Sequence, residues 1–131
     1  MRLERLVRSN ALAGVTYSAM RLVIGFLFLC HGLQKLLGIF GGHRAALNTQ
    51  LGAAGIIETG AGFLIMVGLF TTAAALVAAV EMVAAYLIAH SPRGGLPIQN
   101  GGELAVAYCF IFLYAATQGD GRWSLAALAR R

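Results

Sequence analysis

Charge is scarce in this chain, and acid scarcest of all: five Asp and Glu stand against ten Lys and Arg, and charged residues fill only 11% of 131 positions. With 59% hydrophobic residues, this excludes an ordinary soluble domain. A soluble helix keeps a polar face at a period of about 3.6 residues, whereas 22–30 and 61–70 are apolar all round. Cysteine is nearly absent too. Cys30 and Cys109 form no C-x-x-C pair, so no haem or Fe–S ligand set is expected. Their depths match along their helices, which allows a disulfide or dithiol relay if those helices touch. An isolated buried cysteine otherwise behaves as a small apolar residue. The two prolines, Pro92 and Pro97, share one loop. There is no internal repeat and no broken-helix pair of the transporter kind. No basic surface interleaved with aromatics points to nucleic acid, and the net charge of +5 is better explained by membrane topology and anionic headgroups. A cleavable signal peptide is not expected, because Arg21, His31 and Lys35 interrupt the first apolar region and no small-x-small site follows promptly.

What the chain does have is four apolar stretches, at 17–37, 51–70, 72–90 and 101–117, near the length of about 20 residues that a crossing needs. The predicted fold is all-α, an integral membrane four-helix up-down-up-down bundle forming one domain over 1–131. The join around Thr71 is so short that the second and third helices must be antiparallel neighbours. The longer joins at 38–50 and 91–100 carry Gly41-Gly42 and Gly94-Gly95, pairs that punctuate loops. An even number of spans puts both termini on one side, with Arg2, Arg5, Arg8, Arg122, Arg130 and Arg131; the other side has Arg44 and Arg93, with Lys35 near the boundary. The positive-inside rule makes the termini of this multi-pass chain cytoplasmic. Leu3, Leu6 and Val7 set against Arg2, Arg5 and Arg8 read as a short interfacial amphipathic segment, and Trp123 as an aromatic-belt residue.

Ionisable residues inside such spans are functional-site candidates. Those here are Arg21, His31, Lys35, Glu58, Glu81, His90 and Glu103. At about 1.5 Å per residue, His31, Lys35, Glu58, His90 and Glu103 converge at one level near the outer face, joined by Asn100. Arg21 lies near the cytoplasmic end and Glu81 midway. On the first helix Gly25, Phe28, Gly32 and Lys35 all lie within about 40° of Arg21, and Gly55 and Gly62 would admit a neighbouring backbone on the second. One reading is structural: Glu58 and Glu103 neutralise Lys35 and Arg21 as ion pairs. The other is a small polar pocket for a headgroup, a quinone or a proton. His31, His90 and Glu58 are of types a metal would accept, but no compact ligand spacing supports one and none is assigned. His43 is expected to be solvated, and Tyr86, Tyr108 and Tyr114 to pack.

The order of these residues resembles the DoxX family of small four-helix bacterial membrane proteins over roughly residues 20–125. The resemblance rests on Arg21-Leu-Val-Ile-Gly25, then His31-Gly32 with Lys35-Leu36, then Glu58 with Gly62 and the Gly68-Leu69 exit. It continues through His90, through Asn100-Gly101-Gly102-Glu103, and through Gly119-x-Gly121-Arg122-Trp123-Ser124-Leu125. One departure is Ala126, where the family commonly has Asp. The resemblance implies a membrane component linked to quinone and to sulfur or oxidative-stress metabolism, as a redox subunit or an anchor for a soluble oxidoreductase or sulfurtransferase. On that basis Glu58 and Glu103 are expected to exchange protons with quinone oxygens. Lys35 and His31 would donate hydrogen bonds, His90 and Asn100 would complete the binding site, and Arg21 would anchor the bundle against a carboxylate. Electrons would come from a partner. Self-association is compatible with the pattern. The rival readings are a non-catalytic scaffold and a small-solute or proton carrier.

Overall fold

The computed structural model describes residues 1–7 and 9–131, excluding the side chains of Arg2, Leu6 and Val7. The reading of an amphipathic N-terminal face therefore lies largely outside the described residues. No strand occurs among those described. After a short α1 (Arg2–Val7), α2 runs unbroken over Asn10–Leu37, 28 residues. It starts seven residues before the predicted 17, because Ser9 caps it by accepting from Leu12 N at 3.2 Å and no helix breaker follows. At about 1.5 Å per residue it is about 42 Å long, longer than the hydrocarbon core of about 30 Å, so its first turns project into the interface. The second span, α3, is Gln50–Val67, capped by Thr49. Gly68 ends it in the left-handed conformation (φ 71°), its N–H donating back to Leu64 and Ile65.

The turn that follows is as tight as expected, and Phe70, itself at φ 51°, leads into α4 (Thr71–Ala85). The third span then widens into a π-helical turn, Tyr86–His90, before a 3-10 turn, Ser91–Arg93. Apolar patterning predicts a plain helix here, and a change from i→i+4 to i→i+5 bonding leaves no trace in it. A one-turn α5 (Pro97–Asn100) precedes α6 (Glu103–Gln118). α6 begins at Glu103 rather than 101 because Gly101 holds a positive φ. A final α7 (Leu125–Ala129) is capped by Ser124.

Two closely packed helix pairs make the bundle, α2 with α3 and α4 with α6. In the first, glycine brings backbones together: a Cβ on Gly62 would lie 2.5 Å from Leu29 N, and one on Gly25 would collide with Met66. In the second, alanine does the same work. Ala74, Ala75, Ala78 and Ala79 are buried opposite Ala105 and Ala115. Phe28 stitches the pairs together, its ring 4.6 Å from Phe112 and 5.7 Å from Tyr108. The outward residues Leu22, Phe26, Val80, Leu87 and Phe110 are exposed, as a lipid-facing surface requires. Among the described residues three helices are long and apolar enough to cross a membrane, and α6 is a shorter apolar helix beside them.

Candidate functional site

Gly32 lets α3 approach α2 at the level of Glu58 and Thr59, and one turn further along α2 stands Lys35. Its Nζ donates to both carboxylate oxygens of Glu58, at 2.7 and 2.5 Å. Glu58 is 3% exposed and Lys35 23%. One predicted ion pair is therefore present. A cavity of about 270 Å³ lies against it, with His31, His90, Phe28 and Tyr108 in its walls. The His31 ring stands edge-on to Tyr108. A second cavity, about 440 Å³, shares Lys35, Glu58, Ala85 and His90 with the first and runs along the α3–α4 seam between Leu51, Ile57 and Ile88. Leu51 and Ile88 are more than half exposed, so this groove opens sideways onto the lipid face.

Glu81 also lines the groove, and its Oε2 is buried without a hydrogen-bond partner. Depth along the third span put it merely midway; its facing was not legible. Among the described residues Lys35 pairs with Glu58 alone, so Glu81 has no cation of its own, and an unpartnered buried polar atom is costly. At the loop end, His90 Nδ1 lies 3.3 Å from the Asn100 carbonyl, an acceptor only, which puts the proton on Nδ1 and leaves Nε2 for another partner. Asn100 is buried, and its amide is spent on the chain itself. It donates to the Tyr86 hydroxyl (3.1 Å) and the Gly94 carbonyl (3.0 Å) and accepts from Gly102 N (2.9 Å). Among the described residues no group of three or more His, Cys, Asp or Glu could hold a metal. Cys30 and Cys109 are both free thiols.

Two of the predicted residues are placed elsewhere. Glu103 is exposed beside Pro97 and Ile98 on the outside of the bundle, and among the described residues it pairs with no cation. Arg21 is fully buried at the opposite end, and the expected carboxylate is not its partner. Its guanidinium donates to the carbonyls of Ile65 (2.5 Å) and Met66 (2.8 Å) and to that of Trp123. The first two end α3, where the helix dipole is negative and favours a cation. Carbonyl partners leave no mark in a residue pattern, which is why a carboxylate was expected.

The same end is laced by residues to which sequence reasoning gave no role. The Tyr17 hydroxyl donates to the carbonyls of Gly119 (2.5 Å) and Ala115 (3.1 Å). Asp120 accepts from Thr71 N at 3.0 Å at the start of α4, and Ala126 N donates to Gly68 O at 3.2 Å. The 119–125 segment thus fastens α2, α3 and α4 together.

With this geometry in view, a sequence model of the DoxX family matches residues 17–91, which takes in the first three spans and the Lys35–Glu58 pair. The chain belongs to the DoxX family. It is 40% identical over 113 residues to an uncharacterised protein of Haemophilus influenzae, covering 81% of this chain and 84% of that one. No solved structure matches. This DoxX protein is thus a membrane protein with an all-helical bundle, and Arg21, His31, Lys35, Glu58, Glu81 and His90 all fall within the matched stretch.

Proposed function

We propose that this DoxX protein is a subunit of quinone-linked redox metabolism in the bacterial cytoplasmic membrane, binding a quinone-like molecule in the α3–α4 groove, with the loop end outward. The observation that carries the reading is Glu81, a groove-lining carboxyl whose buried Oε2 has no hydrogen-bond partner, beside the Lys35–Glu58 pair that lines the same groove. An amphipathic molecule can reach it from the bilayer without crossing water. The donor set also fits such a group: Lys35 in the groove wall can donate to a carbonyl oxygen, Glu58 and Glu81 can hold or release a proton, and His31 stands in the adjoining cavity of about 270 Å³, where it could donate to a group that reaches past Lys35. A bound quinone would supply two-electron, two-proton chemistry.

In this reading the excess carboxyl is neutralised by a proton on Glu81 Oε2, which then donates to the ligand. Glu58 keeps Lys35 charged and oriented. His90, held through Nδ1, offers Nε2 as a further proton acceptor. Glu103 and Arg21 take no part. The electrons come from a partner, a soluble or membrane oxidoreductase.

The test is mass spectrometry of co-purifying quinone after mild solubilisation, in wild type, Glu58→Gln and Glu81→Ala. Wild type should retain a stoichiometric quinone. Each variant should lose at least about tenfold, the loss expected from one charged or buried hydrogen bond. Absence of quinone from wild type would overturn the reading in favour of a non-catalytic scaffold.

A further inference from the structure

A further cavity lies at the other end of the molecule. It is a groove of about 610 Å³ between the ends of α2 and α3 and the short α7, with Leu22, Met66, Leu125 and Leu128 in its walls and Arg122 and Arg131 at its rim. α7 is held there by the bond from Ala126 N to Gly68 O and by the Ser124 cap, so the groove is a fixed feature of the fold. The place of Arg122 is made for it by glycine. Its stem crosses α2 at Gly14, where a Cβ would come within 3.1 Å of the Arg122 Cδ and Nε. Among the described residues no carboxylate lies within 4.0 Å of Arg122 or Arg131; Asp120 is taken by Arg130 at 3.6 Å.

Gly14 belongs to the first turns of α2, which overrun the hydrocarbon core and so lie at headgroup level. Half-exposed Trp123 is bonded to Ser18 one turn further along α2, near the interface where indole rings concentrate. An apolar trough in the acyl region with unpaired guanidinium at the headgroup is complementary to one kind of occupant. We propose that this groove is a binding site for an anionic phospholipid, with its phosphate on Arg122, assisted by Arg131, and an acyl chain along Leu22, Met66 and Leu128. Arginine suits phosphate because its planar fork can donate twice, and basic pockets beside membrane helices recognise anionic headgroups in this way. This site is independent of the quinone reading.

The experiment is native mass spectrometry of the purified protein, delipidated and titrated with phosphatidylglycerol or phosphatidylcholine of the same chains. Wild type should retain the anionic lipid about tenfold better, as a charge-assisted hydrogen bond would give. Arg122→Gln should abolish that preference. The side chain is exposed, so the variant should fold. Gly14→Leu, which displaces the Arg122 stem, should weaken the preference with the charge intact. Arg44→Gln, at the far end, should leave it unchanged. Equal retention of both lipids by wild type overturns the site, as does an equal loss in Arg44→Gln, which would mark a general effect of net charge.

Discussion

Arg21 is a cation buried in a membrane bundle with carbonyls for company, and its three acceptors lie on two separate segments. Lysine carries the same charge but offers a point rather than a planar fork, so Arg21→Lys should leave at least one of the Ile65, Met66 and Trp123 carbonyls unsatisfied. The expected cost is about 3 kcal/mol, read from unfolding in mixed detergent titrations. A variant as stable as wild type would mean that the cradle contributes nothing. The charged residues of the spans stood out in the sequence because apolar surroundings make them costly. Lys35 and Glu58 could also be matched by depth, since both are side-chain groups a pattern can count. Arg21 could not be matched, because its partners are backbone. Glu81 could be ranked by depth but not by facing, because the rotation of α4 against α3 is set by packing. The exposure of Glu103 was hidden for the same reason.

Among the elements, the α2–α3 pair depends on glycine at particular positions rather than on glycine content. Gly62 has the Leu29 backbone against it, whereas Gly60, two residues away, is exposed and has nothing within 4 Å of an added Cβ. Gly62→Ala should therefore destabilise the bundle by about 1–3 kcal/mol through forced separation. Gly60→Ala should be neutral or stabilise by up to about 1 kcal/mol through helix propensity. Equal effects in the same detergent titration would refute the close approach. Hydrophobicity located the three long apolar helices and the shorter α6, and the Gly55 and Gly62 positions signalled a close contact. Hydrophobicity could not show that α2 starts at Asn10, since that start depends on the Ser9 cap. Nor could it show the π-helical turn that sets the His90 ring beside Asn100.

For the whole molecule, arginine bias gives a testable orientation. Single cysteines replacing Arg44 or Arg93, in a background without Cys30 and Cys109, should react with an impermeant maleimide from the periplasmic side, and one replacing Arg130 only after the membrane is opened. The reverse pattern would place the α3–α4 groove at the cytoplasmic face. The two ends are also built differently, whichever way they point. One is tied across three helices by Tyr17, Arg21, Asp120 and Ala126; at the other, long loops join the helices, with the Lys35–Glu58 pair and the His90–Asn100 contact between them. Any opening of the seam between α3 and α4 therefore has its firm end at the 119–126 clamp and its loop-joined end beside the ionisable residues.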